Sequence, residues 1–397
     1  MIATDPRSTL TRNTNDDKHS WHLSPYGERR PPFTFATNGV HVRSSSVARA
    51  TPAHRPIPQP GRGPGRRAAR RGTPLEGRIV TSTVVREPLA PPGPARSPVA
   101  GVASLTLREL LDRPRSAARV IAAFPSAVYV ELRSATEPRV LAVVGSDAVR
   151  LPNAIVVAAT SRDLPFAAVR EGDDAWVGDG VVEVSGAGQG GPAPRLRIQV
   201  RTRRWWDPSP VLGPVSLPQL THGALALAAE TAEERCGLAD HPGPGLLADR
   251  CADGDLAHAV DAAERIVGLG PGLTPTGDDI LAGLLLSLRL FGGAVHGGDP
   301  AVRLADWLGA AVTAHADTRT TALAATLLHC ASRGQAGAEV AAVLRGIAGQ
   351  APLRPAVRRL LGVGHTSGAD LSWGLLAGCR ATLALATPAA GRRKATA

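Results

Sequence analysis

Lysine is almost missing from this chain of 397 residues: there are two, Lys18 and Lys394, one near each end. Without a lysine between them the chain cannot form a Schiff base with pyridoxal phosphate or a sugar aldehyde. It also lacks the lysine of a Walker-type phosphate loop and the ATP-pairing lysine of a protein kinase. Cysteine is scarce and scattered. Cys236, Cys251, Cys330 and Cys379 contain no Cys-x-x-Cys pair, which fits reduced thiols in a cytoplasmic protein better than a disulfide framework or a zinc site. Long apolar runs are missing too. The longest, ILAGLLLSLRLFGGAV at 280–295, is short for a membrane span and contains Arg289, so it reads as a buried helix and no membrane is expected. No apolar signal-peptide core opens the chain, and no G-x-S-x-G elbow supports an α/β-hydrolase.

What is abundant is positive charge, with a formal net of +11, but its placement is uneven. Residues 1–100 hold sixteen basic and six acidic side chains, whereas residues 101–397 hold twenty-nine and twenty-eight. The first hundred residues also carry fifteen of the 34 prolines and the run GRGPGRRAARRG at 61–72. Such a segment buries too little apolar surface to offset chain entropy, so residues 1–100 read as a disordered Arg/Pro-rich tail. With Met1 the sole methionine, the tail is also open to reading as an over-extended frame. Disordered charge alone gives salt-sensitive, non-specific nucleic-acid binding, and the near-neutral remainder is not expected to bind nucleic acid.

Short apolar, β-branched runs follow at 119–124, 127–132, 139–144, 154–159, 181–184 and 195–200, separated by turn residues. No helix-length stripe intervenes, which predicts a mostly antiparallel sheet or small barrel over 101–210. After RRWWDPSP (203–210) alanine and leucine recur at helical spacing, at about 217–237, 253–267, 278–292, 301–315, 319–333, 337–348, 352–361 and 369–386. The expected architecture is α+β: a β-rich region, an all-helical region over 211–388, and a basic tail at 389–397.

The most unusual stretch is GLGPGLTPTGDD (268–279), just before the apolar helix. Gly268, Gly270, Gly272 and Gly277 permit positive φ and close approach, and a helix start presents N–H groups to an anion. Thr276 and Asp279 alternatively form a capping box. A second segment, GHTSGADLSWGLLAG (364–378), aligns with 273–287: Ser367 falls on Thr276, Gly368 on Gly277, Asp370 on Asp279 and Gly374 on Gly283. The two helices are therefore expected to pack side by side through Gly283 and Gly374, with both loops opening at one end. Asp278, Asp279 and Asp370 would then converge, as candidate catalytic groups together with His365. Gly270, Gly272, Thr274, Thr276, Gly277, Gly364, Thr366, Ser367 and Gly368 become candidate binding residues for a small anion. No cofactor is expected; Mg²⁺ held by the hydroxyls through water is the alternative. A third candidate is ADTRTTAL (316–323), where Thr318, Arg319 and Thr320 suit phosphate, against the plainer reading of a capped helix with a surface arginine.

GLGPGLTPTGDD with its buried helix, T-T-x-x-A-A-T-L-L at 320–328, and GHTSGAD with a Gly-Leu-Leu helix together resemble the AllH-type family. LPNAIVV (151–157) and WDP (206–208) look like its weaker motifs, so the resemblance covers roughly 118–386. It implies a subunit, with partner subunits, in carbamoyl exchange between oxalurate and phosphate to give oxamate and carbamoyl phosphate, in allantoin catabolism. A non-catalytic metabolite-binding or assembly subunit is the other reading. Ala369 departs from the pattern, standing where the resemblance leads one to expect a hydroxyl residue.

Overall fold

A computed structural model describes residues 98–133, 137–187 and 194–387, all within the unit Pro88–Ala397. The tail expected over 1–100 lies outside the described residues as far as 97, whereas Val99 and Ala100 open β1; the basic tail at 389–397 lies outside them too. The strand region contains β1 (Val99–Ser104), the short helix α1 (Arg108–Asp112), β2 (Ser116–Ala123), β3 (Ala127–Leu132), β4 (Val140–Val144), β5 (Ala154–Val157), β6 (Asp174–Gly178), β7 (Val181–Ala187) and β8 (Pro194–Trp206). These close into a barrel in the order β1-β5-β4-β3-β2-β6-β7-β8. The pairs are antiparallel except β4–β5 and β1–β8. Alternation explains the closure. In β2, Ala118, Val120 and Ala122 are buried while Ala117 and Arg119 face outward, and Ala118 and Val120 pack with Val130, Leu141, Ile155, Val177 and Val184.

Strand β4 breaks the alternation, because all five of its residues are buried. Leu141 and Val143 face the barrel core, and Ala142 and Val144 join a second small cluster with Ala127 and Ala154. A strand apolar on both faces needs a second covering layer, and a helix supplies it.

The helical region comprises α2 (Leu217–Glu230), α3 (Pro242–Asp253), α4 (Leu256–Ile266), α5 (Thr276–Ala294), α6 (Asp299–Ala314), the single turn α7 (Ala316–Arg319), α8 (Ala322–Ser332), α9 (Ala338–Ile347), α10 (Leu353–Leu361) and α11 (Ser367–Ala386). Strands first and helices after give the expected α+β layout. The unforeseen elements are β1, the short α1, β6 and α3. The stretch expected as one helix over 319–333 instead breaks at Thr320–Thr321, where the Thr321 hydroxyl accepts from Ala324 N–H and caps α8. Helix α5 is buried continuously from Thr276 to Leu288, the mark of a central helix packed on all sides.

Helix α8 lies against β4. The Thr326 hydroxyl, fully buried, accepts from Val140 N–H at 3.2 Å and donates to the Glu137 carboxyl at 2.8 Å. Ala336 N–H donates to Pro208 C=O and Ala338 N–H to Arg150 C=O, both at 2.9 Å, so the α8–α9 connection is sewn to the barrel. Trp205 and Trp206 end β8 beneath the guanidinium groups of Arg108 and Arg150, packing rather than standing free.

Candidate functional site

Helices α5 and α11 run side by side because glycines remove the atoms that would hold them apart. A Cβ on Gly374 would lie 2.1 Å from Ile280 O, and one on Gly283 would lie 2.4 Å from Leu371 O. The preceding loops consequently meet: Thr274 Oγ1 and Ser367 Oγ are 3.1 Å apart. The geometry expected from the repeated motif is present.

The glycine loop owes most of its composition to packing. Gly268, Gly270 and Gly272 have φ of 73°, 116° and 95°, conformations that side chains resist. A Cβ at Gly268 would also strike Arg319 O at 2.2 Å, and one at the helical Gly277 would strike Ile266 O at 1.8 Å. Gly272 alone combines positive φ with open space around it. Thr276 is buried against Gly237 and Gly270 as the first residue of α5 and makes no side-chain cap bond, so the capping-box reading gives way to a tightly packed start after Pro275.

Several of the helix-start N–H groups face protein acceptors. Gly277 N–H donates to Leu269 O, those of Asp278 and Asp279 to Pro275 O, and Gly368 N–H to Val363 O. An anion cradle built from these donors would therefore have to displace existing bonds. In the second loop Gly364 has φ of 62°, the Thr366 carbonyl accepts from Asp370 N–H, and His365 is exposed. In the third segment the Thr318 hydroxyl is exposed and donates to His315 O. Arg319 is turned to α4, bonding Glu264 O and lying 3.7 Å from its carboxyl. Thr320 donates to Asp278, and Thr321 to Leu273 O at 2.5 Å. These residues hold the glycine loop rather than line a cavity.

The three aspartates have distinct surroundings. Asp278 is 2% exposed, and both its oxygens are engaged, by Gly268 N–H at 3.2 Å and the Thr320 hydroxyl at 2.5 Å. Burial pushes its pKa up, and those two bonds pull the other way. Asp370 is fully buried; one oxygen accepts from Gly237 N–H at 2.7 Å and the other has no partner. Asp279 is 6% exposed, and its Oδ2 has no partner. Burial, foremost, raises Asp279 to about 8; the hydroxyls of Ser367 and Thr274 beside it lower it, and the charges of Asp370 and Asp278 raise it. Near neutral pH Asp279 therefore keeps its proton, a carboxylic acid able to give it up. Cys236 lies beside Asp370 and is pushed up to about 11, mainly by burial, so it stays an unreactive thiol. Among the described residues, no three His, Cys, Asp or Glu side chains gather as a metal-ligand set.

A cavity of about 260 Å³ opens over Thr274, Asp278, Asp279, Gly364 and Ser367. Its remaining wall is mostly apolar, supplied by Tyr129 and Leu151 from the barrel and by Leu273, Leu323, Val340 and Leu371 from the helical region. Gln335 and Glu339 also line it, each with a buried oxygen that has no partner. Sequence reading missed Tyr129, Gln335, Glu339 and the Cys236–Gly237 segment, which carry no motif and reach the site only through folding. Of the residues expected at the site, Thr274, Asp278, Asp279, Gly364 and Ser367 lie on the cavity wall; Asp370, Thr276, Gly277 and Gly368 sit in the helix-packing layer behind it.

Fold and site thus define an α+β protein whose barrel and helices enclose an apolar cavity with a protonated carboxyl at the junction of two glycine-linked helices. A family model described as oxamate carbamoyltransferase subunit AllH matches residues 266–379, from the last residue of α4 to Cys379 in α11. That match spans both glycine loops and supports an AllH-type family assignment. No curated protein and no solved structure matches the chain.

Proposed function

We propose that this chain is a carbamoyltransferase subunit that works with partner subunits, and that the cavity over Thr274, Asp279 and Ser367 holds a small carbamoyl-bearing metabolite. The family description supplies the reaction class, with oxalurate and phosphate giving oxamate and carbamoyl phosphate as the exchange to test. In that exchange a phosphate oxygen attacks the carbamoyl carbon, the bond from that carbon to the oxamate nitrogen breaks, and the nitrogen takes up a proton. The observation that carries the reading is Asp279: a carboxylic acid still protonated near neutral pH, with one oxygen unpartnered, on the cavity wall. It is placed to donate that proton, while the Thr274 and Ser367 hydroxyls orient the acyl group. Exposed His365 is the weaker candidate for this role.

A second reading, a metabolite-binding subunit without catalysis of its own, has one observation in its favour. Among the described residues, the cavity wall contains no arginine or lysine to meet phosphate charge. On that reading the phosphate sits on a partner chain.

The test is thermal-shift screening of the chain with phosphate, oxamate, oxalurate and carbamoyl phosphate, with and without Mg²⁺, followed by transfer assays with and without the partner subunits. Oxalurate or oxamate should stabilise the chain. Asp279→Asn should lower kcat of the active assembly by about 10²–10⁴, the usual weight of a general acid, with little change in KM. Absence of any response to oxamate and oxalurate, alone or in the assembly, would overturn the carbamoyl-transfer reading. Full activity of Asp279→Asn would remove Asp279 from the chemistry.

A further inference from the structure

Three residues that line the cavity each carry a buried side-chain oxygen with no hydrogen-bond partner among the described residues: Asp279 Oδ2, Gln335 Oε1 and Glu339 Oε2. Buried polar atoms left unpaired cost free energy, and a cluster of them around one space is uncommon in a settled core. They come from separate elements, Asp279 from the first turn of α5, Gln335 from the α8–α9 connection and Glu339 from the first turn of α9. The connection is fixed, since Gln335 N–H donates to Cys330 O, Ala336 N–H to Pro208 O and Ala338 N–H to Arg150 O, each at 2.9 Å. Backbone so anchored holds the two side chains at the cavity.

We infer that the cavity selects a ligand presenting N–H donors, a primary amide, carbamoyl or ureido group, and that Gln335 and Glu339 are the specificity-determining residues that accept from it. This deepens the carbamoyl-transfer reading and rests on it for the choice of oxamate and oxalurate as probes. An amide or ureido group has N–H bonds for the two free oxygens and a carbonyl for the hydroxyls of Thr274 and Ser367 on the same wall. A ligand with acceptors only, such as oxalate or benzoate, would set oxygen against oxygen at Glu339 and oblige the Gln335 amide to turn over. The apolar remainder of the wall suits an uncharged group and excludes water that would otherwise compete for these bonds.

Calorimetric titration of the full chain with oxamate, oxalurate and oxalate tests the inference, alongside ligand-observed NMR with benzamide and benzoate. The last pair differ in the amide against the carboxylate and do not depend on the carbamoyl reading. Amide-bearing probes should bind at least about tenfold more tightly than their amide-free counterparts, the worth of roughly one hydrogen bond. Gln335→Leu and Glu339→Leu should each weaken oxamate or benzamide by about tenfold, and Glu339→Leu, which removes the oxygen set against a carboxylate, should strengthen benzoate. Unliganded, both variants should melt no lower than the natural protein, because each removes an unpaired buried oxygen. A merely structural role would give the reverse, a lower melting temperature with unchanged discrimination. Benzoate binding as well as benzamide, or both variants retaining full amide preference, overturns the inference. Oxamate and oxalurate binding with no effect of either variant overturns it while leaving the carbamoyl reading intact. Benzamide preference that depends on Gln335 and Glu339 without oxamate or oxalurate binding sustains it and removes the carbamoyl reading.

Discussion

Asp279 carries a cost that depends on pH, and its sign follows from its surroundings. In the unfolded chain its pKa is near the ordinary ~3.9, whereas burial in the folded protein lifts it to about 8. Between those values the folded state binds a proton that the unfolded state does not. Stability contributed by this group is therefore fully present below about pH 4 and is lost as pH rises through about 8, with a slope of at most about 1.4 kcal/mol per pH unit. Asp279→Asn keeps the shape and cannot ionise. The difference in melting temperature between variant and natural protein should accordingly grow in the variant's favour from pH 5 to pH 9, read by differential scanning calorimetry. A difference independent of pH would show that Asp279 is not a buried neutral acid. The same chemistry that makes the residue useful to a proton transfer thus makes it a liability for folding, as is common at functional sites.

At the scale of elements, the α5–α11 contact is set by small residues. Gly374→Ala would drive a Cβ to within 2.1 Å of the Ile280 carbonyl oxygen, and backbone cannot swing aside as a flexible side chain does. The helices must separate, and the expected loss is about 2–3 kcal/mol or more, measured by urea denaturation. Gly245 in α3 is the control. A Cβ there meets nothing within 4 Å, so Gly245→Ala should be neutral or gain about 0.5–1 kcal/mol from helix propensity. Equal effects at the two sites would mean the helix contact is looser than the geometry states. This contact was legible in the sequence because the motif repeats with Gly283 and Gly374 at the same offset from Asp279 and Asp370. Strands β1 and β6 were not legible. VAGVAS is rich in small residues, and DAWVG is five residues long and starts on an acid, so neither gives the β-branched run that marked the other strands. Helix α3 begins PGPG, which reads as a turn, yet proline suits a first helical position and the His241 side chain caps it by accepting from Gly243 N–H at 3.0 Å. Nor does a linear sequence reveal that Leu269, Pro275 and Val363 carbonyls reach several of the N–H groups on which an anion-binding reading of the loop starts relies.

At the scale of the whole molecule, barrel and helices share one narrow seam, and the cavity lies along it. Strand β4, apolar on both faces, is the reason the two halves must join: left uncovered, Ala142 and Val144 would face water. The seam includes a buried hydroxyl, that of Thr326, bridging the Val140 N–H and the Glu137 carboxyl. Thr326→Val keeps the volume but strands the buried Val140 N–H, while the Glu137 oxygen keeps its bond from Arg139 N–H, at an expected cost of about 1–3 kcal/mol. The consequence should not stay local. If the barrel depends on this seam, hydrogen exchange at the Val140 amide and along β4 should quicken together with that of α8, while β6 and β7, on the barrel's other side from β4 in the strand order, keep their protection. The cavity, walled by Tyr129 and Leu151 on one side of the seam and Leu323 and Val340 on the other, should lose affinity for oxamate in the same variant. Quickened exchange confined to Val140, with affinity unchanged, would instead mean that the seam is held by apolar contact alone and that the cavity's shape does not depend on the hydroxyl bridge.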